Sequence, residues 1–431
     1  MSEEQKKGSP IALLPLLIFV LLFIGTGIIT GDFESMPIPV ALVIAIIAAL
    51  FIKPKDRFND KIGIVTRGAG KENIMLMVLI FLLAGAFGQV AEDMGAVDST
   101  VNLGLSLLPS SLLLVGIFIV CCFISISMGT STGTIVALAP IAVGIADQTE
   151  IGLALALATV IGGAMFGDNL SVISDTTIVS TQSQEVKMVD KFKTNFWIVL
   201  PGAIAAAVIL YFISAGYSTN LASGLEFDLI KVLPYLAVLI IALLGVNVLV
   251  VLVGGTIFAG VVGFFDGSYN FVSFVTSAGE GIASMMEISI IAILIGGMIG
   301  LIQHYGGIDY LLHFITSRIR SKKGAEFGIA SLVSATDVST ANNTISIIIT
   351  GPLAKDIADE YGVDRKKSAS ILDIFAAAFQ GIIPYGGQML AAAGMAAISP
   401  VEMIPYSIYP FMLLICGIIA ILIGFPRKLK A

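Results

Sequence analysis

Apolar runs about as long as a bilayer's hydrocarbon is thick recur along this chain, and a run of that length is what a membrane-spanning helix requires. They extend from Ile11 to Ile29, Pro37 to Ile52, Ile74 to Val90, Phe196 to Tyr217, Leu229 to Gly245, Val246 to Phe265, Ile288 to Gln303 and Met403 to Phe425. With 57% of the 431 residues hydrophobic and 12% charged, a water-soluble globule would leave apolar side chains stranded on its surface. The bilayer has to be the solvent, and a chain crossing it must satisfy its own backbone hydrogen bonds, which selects helices. The expectation is an all-α polytopic membrane protein with no separate soluble domain. Its net charge of −7 has little bearing on partners, because the basic residues are segregated into particular loops instead of gathered into a patch for nucleic acid. Lys6 and Lys7 precede a full-length span with no small-residue cleavage site, so the first helix reads as retained. Cys121, Cys122 and Cys416 lie in apolar segments, and their spacing fits neither a disulfide framework nor a zinc site.

The chain also repeats itself. Pro140-Ile-Ala-Val-Gly-Ile-Ala-Asp147 is echoed 212 positions later by Pro352-Leu-Ala-Lys-Asp-Ile-Ala-Asp359. Ser127 and Thr132 fall on Ser339 and Thr344 at the same shift, and Gly95-Ala-Val-Asp98 falls on Gly306-Gly-Ile-Asp309 at a shift of 211. A shift that nearly halves the chain reads as duplication, with residues 1–220 as one repeat and 221–431 as the other. Short loops rich in Lys and Arg stay on the cytoplasmic side. That places Lys53 to Lys71, Lys187 to Lys193, Arg318 to Lys323, Lys355 to Lys367 and Arg427 to Lys430 inside. The acidic segments Glu92 to Asp98, Asp147 to Glu150, Asn220 to Asp228 and Asp266 to Glu280 belong outside. Equivalent loops thus lie on opposite sides, as an inverted repeat requires. Residues 324–354 are apolar yet join two cytoplasmic loops, so they read as a re-entrant hairpin with its tip near Asp337 to Thr344. Residues 111–147 form the matching hairpin, with its tip near Ser127 to Thr132. Each repeat then has five spans plus one hairpin, and both termini are cytoplasmic.

The strongest local signal is Gly167-Asp-Asn-Leu-Ser-Val-Ile-Ser-Asp-Thr-Thr177, a polar run inside the apolar stretch 151–183. Gly167, Asp168 and Asn169 read as the interruption of a helix in mid-membrane. Such a break exposes carbonyls on one side and amides on the other, suited to a cation and an anion respectively. Asp168, Asn169, Ser171, Ser174 and Asp175 add hard oxygen ligands of the kind sodium takes, joined by Ser127, Thr130, Ser131 and Thr132 from the first hairpin tip. The second-half counterpart, 366–400, contains Asp373 and is broken by Gly381, Pro384, Gly386 and Gly387. There Gln380, Tyr385 and Gln388 supply neutral hydrogen-bonding groups, and the second hairpin tip adds Asp337, Ser339, Asn342, Asn343 and Thr344 as a substrate or second-ion set. The competing reading of the hydroxyls is that small residues merely let helices approach or hydrogen-bond across them. Ionisable groups inside spans are expensive and point to function, which singles out Asp168, Asp175, Asp337 and Asp373. Burial disfavours a carboxylate and a bound cation favours it, so Na⁺ and H⁺ competing for one carboxyl would give antiport without a separate proton path.

At these residues the chain resembles the NhaC-type sodium/proton antiporter family, within the wider ion transporter superfamily of inverted-repeat carriers. Phe166-Gly-Asp-Asn-Leu-Ser-x-Ile-Ser-Asp-Thr-Thr177 looks like that family's signature, and Phe379-Gln-Gly-x-Ile-Pro-Tyr-Gly386 is similar to its second-half motif. The resemblance implies Na⁺/H⁺ exchange by an elevator or rocking mechanism in a prokaryotic plasma or inner membrane. It implies Na⁺ and H⁺ as coupling ions, with Na⁺ in the Asp168 and Asn169 region, no other cofactor, and by analogy a homodimer. The family also includes carriers of amino acids and small carboxylates, which leaves a sodium- or proton-coupled carrier of a small organic solute as the alternative. No Arg lies within these motifs to clamp a dicarboxylate. No enzyme is expected: an intramembrane aspartyl protease needs Gly-x-Gly-Asp where this chain has Met-Phe-Gly-Asp168, and neither His304 nor His313 begins a His-Glu-x-x-His pattern. A channel fits a self-inverted chain less well than a carrier.

Overall fold

The computed structural model describes residues 8–30, 35–53, 56–107, 109–172, 174–216, 226–244 and 246–425. Lys6, Lys7, residues 220–225 with the boundary between the halves, and Arg427 to Lys430 lie outside them. Among the described residues the chain is helical, without strands. The first half runs α1 (Pro10–Thr30), α2 (Ile38–Leu50), α3 (Phe58–Ala69), α4 (Glu72–Asp93), α5 (Ala96–Leu107), α6 (Leu113–Met128), α7 (Ser131–Gln148), α8 (Leu153–Leu170), α9 (Asp175–Ser183) and α10 (Met188–Ala215). The second half repeats the order with α11 (Leu229–Leu243), α12 (Val248–Asp266), α13 (Phe271–Ser284), α14 (Met286–His304), α15 (Gly307–Thr316), α16 (Lys322–Thr340), α17 (Asn343–Tyr361), α18 (Arg365–Gln380), α19 (Gly387–Ala396) and α20 (Ile408–Ile423). Among the described residues six helical stretches are long and apolar enough to cross a membrane, or seven if the pair Gly387–Ala396 with Pro400–Tyr406, bent by 106°, is one span. Large apolar side chains face outward, such as Ile29, Phe212 and Phe265 at 85, 70 and 88% exposure. That is the pattern expected where the surrounding solvent is lipid.

Packing between the halves is reciprocal. The amphipathic α3 lies on α14, and its counterpart α13 lies on α4; α9 packs on α17, and α19 on α7; α10 meets its own counterpart α20. Two of these contacts run through glycine, because only a missing Cβ lets helix backbones approach so closely. A Cβ on Gly68 would stand 2.5 Å from Gly296 O, and one on Gly281 would stand 2.1 Å from Gly85 O. An arrangement in which i contacts j′ and j contacts i′ is what a pseudo-twofold axis produces. The fold is therefore an all-α polytopic membrane architecture of two inverted repeats, each with a hairpin and a broken helix.

Several elements differ from the sequence expectation. The helix interruption is not at Gly167, Asp168 and Asn169. Helix α8 continues through them to Leu170, with Ser171 just past its end, and the next helix begins at Asp175. Gly167 serves packing instead, since a Cβ there would meet Cys122 O of α6 at 2.4 Å. In the second half Gly381, Pro384 and Gly386 do lie in the break, whereas Gly387 opens α19. The basic stretch 53–71 is mostly the amphipathic helix α3, and Lys61 is buried, donating to Leu50 O and Ile52 O at 2.7 and 2.9 Å at the end of α2. The span expected from Phe196 begins earlier, at Met188, so part of the supposed basic loop 187–193 is helix. The acidic stretch 266–280 is partly α13. The last apolar run is interrupted at Ser407 before α20.

Both hairpins turn in the same way at positions 212 apart. Gly129 and Ala341 take left-handed backbone, at φ 67° and 50°. The next residue then caps the returning helix: Thr130 accepts from Gly133 N at 3.3 Å and Asn342 from Ile345 N at 2.9 Å. Glycine adopts this region freely, whereas a Cβ crowds the following carbonyl at a cost of about 1 kcal/mol. Ala341→Gly is therefore expected to raise the detergent-solubilised melting temperature and Gly129→Ala to lower it. Thermal unfolding of the two variants checks this, and an equal fall in both would contradict it.

Candidate functional site

Four polar interruptions converge on one place. The two hairpin tips, at 129–130 and 341–342, and residues at the edges of the two helix breaks, Ser174 for the first and Gln380 and Gly387 for the second, border a cavity of about 450 Å³ between α4 and the hairpins. Asp168 on the last turn of α8 is 5% exposed and lines it. Its Oδ1 accepts from Ser174 Oγ at 2.5 Å across the break, and its Oδ2 accepts from Ser131 Oγ at 3.0 Å in the first hairpin. Ser131 Oγ accepts in turn from Gln388 Nε2 at 3.0 Å. Gln388 Oε1 accepts from Gln380 Nε2 at 2.6 Å, and that amide also approaches Ala341 O at 3.3 Å in the second hairpin. One hydrogen-bond chain thus ties all four interruptions together and crosses from one repeat to the other. Among the described residues, Gln380 Oε1 is buried without a hydrogen bond. No Lys, Arg or His is among the described residues that line the cavity, and two further acids, Glu72 and Asp175, stand exposed on its wall.

Behind Asp168 lies a second polar cluster facing away from the cavity. Asn169 Oδ1 and its backbone carbonyl accept from Asn195 Nδ2 on α10 at 2.5 and 2.9 Å, and Asn195 Oδ1 accepts from Ser370 Oγ on α18 at 2.6 Å. Lys191, also on α10 and 1% exposed, donates to Asn169 O at 2.8 Å and Thr177 Oγ1 at 2.9 Å and forms an ion pair with the fully buried Asp373. Sequence reasoning assigned Lys191 to a solvated cytoplasmic loop. The signal that could have found it is spacing: Lys191, Thr194, Asn195 and Ile198 recur at helical intervals, and all four are buried.

Of the residues singled out from sequence, Thr130, Ser131, Thr132, Asp168, Ser174, Asp175, Asn342, Asn343, Thr344, Gln380 and Gln388 border the cavity, joined by Thr176. Seven do not. Ser127 and Ser339 donate back to their own helices, at Phe123 O and Ala335 O. Ser171 fastens the break to Ile126 O at 2.6 Å, and Tyr385 donates to Val338 O at 2.8 Å while its ring meets that of Phe19 edge-on. Asn169 and Asp373 belong to the Lys191 cluster. Asp337 is fully buried in α16, and neither carboxyl oxygen makes a hydrogen bond among the described residues. Further along, Gln184 Nε2 donates to Gly351 O at 2.8 Å, and Glu185 pairs with Lys355 and Arg365 at 2.7 and 2.8 Å, so the end of α9 is held to the second hairpin. Hydrogen bonds from Lys355 and Arg365 keep the Glu185 carboxyl below its ordinary range, and Arg365 does the same for Asp359. These pairs are exposed and will be screened by salt.

The family model described as the Na⁺/H⁺ antiporter family matches residues 7–215 and 223–426. The Na(+)/H(+) antiporter NhaC of Bacillus subtilis (strain 168) is 27% identical over 99% of this chain and 100% of its own length. The Malate-2H(+)/Na(+)-lactate antiporter of the same organism is 22% identical over 92% of this chain and 91% of its own. Among solved structures the YdaH transporter of Alcanivorax borkumensis is similar at 14% identity and a TM-score of 0.40, covering 97% of this chain and 99% of that one. With the match extending through both repeats, the chain belongs to the Na⁺/H⁺ antiporter family.

Proposed function

We propose that this protein exchanges Na⁺ for H⁺ by alternating access across a prokaryotic plasma or inner membrane, with Asp168 as the carboxylate the two ions share. The observation that carries this reading is Asp168 itself: a buried carboxylate on the wall of a cavity whose described lining contains no basic side chain. Ser131 and Ser174 reach it from opposite sides, one from a hairpin tip and one from across a helix break. Both hydroxyls donate to the carboxylate in this state. On Na⁺ entry they turn their lone pairs to the ion and complete an oxygen shell with Asp168, and Gln380 Oε1 is a further oxygen within the same network. A proton on Asp168 removes the negative charge Na⁺ needs, so either ion displaces the other. Glu72 and Asp175 on the cavity wall raise the local cation concentration. In this reading the cavity opens toward the cytoplasm, because Glu72 on its wall follows the basic stretch 53–71.

In this reading the repeats are residues 1–220 and 221–431, both termini are cytoplasmic, Na⁺ and H⁺ are the coupling ions without another cofactor, and the assembly is a homodimer. Thr130, Thr132, Asn342, Asn343, Thr344 and Gln388 line the ion's route. Ser127, Asn169, Ser171, Ser339 and Tyr385 hold the interruptions in place.

Reconstituted into proteoliposomes with a pH-sensitive dye, the wild-type chain is expected to release protons on a Na⁺ gradient with no organic solute present. Asp168→Asn is expected to fall to the level of empty liposomes. Flux that needs an added amino acid or carboxylate, or a fully active Asp168→Asn, would overturn the reading. Ser174→Ala removes one ligand oxygen, a loss of about 1.4 kcal/mol, so the apparent Na⁺ affinity should drop about tenfold with little change in maximal rate. A titration of rate against Na⁺ concentration measures this.

A further inference from the structure

Lys191 is a buried charge that Na⁺/H⁺ exchange at Asp168 does not require. Its ammonium touches three oxygens from three elements: the Asn169 carbonyl near the end of α8, the Thr177 hydroxyl on α9 and the Asp373 carboxylate on α18. A carbonyl at a helix end, a hydroxyl and a carboxylate are what a hard cation takes at a broken helix. Asp373 keeps its other oxygen, Oδ1, buried and without a hydrogen bond among the described residues. The site is next door to the first one: Asp168 and Asn169 are successive residues of α8, one facing the cavity and the other facing α10. Asp168 lies within electrostatic reach of both Lys191 and Asp373. Nor does the repeat relate the two carboxylates, since the shift of 212 sends Asp168 to Gln380 and not to Asp373.

We propose that Asn169 O, Thr177 Oγ1 and Asp373 form a second cation site that is filled by the tethered ammonium of Lys191, and that this lysine limits the chain to one exchangeable Na⁺. The inference rests on the Asp168 reading for the first site. A buried carboxylate needs a counter-charge; here a side chain supplies it, and the mobile ion is left with Asp168 alone. Removing the ammonium while keeping Asp373 should therefore create a vacancy of the right charge and ligand chemistry for Na⁺.

The test is Na⁺ binding to the purified full-length chain in detergent, counted by equilibrium dialysis with radioactive sodium. Wild type is expected to bind one Na⁺ per chain and Asp168→Asn none; wild type binding none would sink the Asp168 reading, while wild type binding two would sink the tethered cation. Lys191→Met is expected to bind a second Na⁺, lost again in Lys191→Met/Asp373→Asn, and its flux should become sigmoidal in Na⁺. A folded Lys191→Met that binds only one Na⁺, or a second ion that survives in the double variant, overturns the proposal. If Lys191→Met unfolds without salt, Na⁺ but not choline at equal concentration should restore it, and failure of Na⁺ to do so counts against the proposal. Asp373→Asn alone should still bind one Na⁺, because Asp373 is not a ligand of the mobile ion; loss of binding by a folded Asp373→Asn would overturn the assignment.

Discussion

Inside a bilayer no water is at hand for a carbonyl or amide that leaves a helix, so every interruption must find its partners within the protein. Four of the interruptions among the described residues, the two hairpin tips and the two helix breaks, solve the problem by meeting at one point. Ser171 of the first break donates to Ile126 O of the first hairpin, Tyr385 of the second break donates to Val338 O of the second hairpin, and Gln380 reaches Ala341 O. Gln388 and Ser131 then join the halves. A polar cavity at membrane depth follows from the same arrangement, because groups gathered to satisfy one another also present oxygens to an ion.

The electrostatics divide along a single helix turn. Asp168 and Asn169 point to different neighbours, so α8 carries one carboxylate toward the cavity and one amide toward the Lys191 cluster. Asp373 is matched by a lysine, whereas Asp168 is met by hydroxyls alone. Hydroxyls can turn from donating to coordinating; an ammonium cannot, since it has donors and no lone pair. In the proposed reading, the difference between an exchangeable site and a filled one lies in that choice of partner.

Reciprocal packing makes the interface between the halves close. Helices α3 and α13 approach α14 and α4 through glycines, at distances that a single methyl would forbid. The hairpins are packed on the broken helices of both halves, with α9 on α17 and α19 on α7. Any motion that re-exposes the cavity to the other side must carry hairpins and broken helices in step, since the hydrogen-bond chain from Ala341 to Ser174 runs through all of them.

Helical spans, duplication, inversion and the two hairpins were legible in the sequence because each leaves a local trace: hydrophobic length, a shift of 212, the side on which Lys and Arg fall. The polar run 167–177 was legible as a break, but its position was not. Gly167 looked like the breaker and proved to be a packing contact, because glycine spacing cannot distinguish a kink from a close approach. Lys191 was hidden for a related reason: positive charge beside a span reads as solvated loop until the helix that buries it is placed. The sequence by itself determined that the chain lives in a bilayer, repeats itself and carries carboxylates where carboxylates are costly. Only the tertiary structure decided which of those carboxylates faces the cavity and which is neutralised, because that depends on partners as many as 182 positions apart, brought together by the need to satisfy broken backbone away from water.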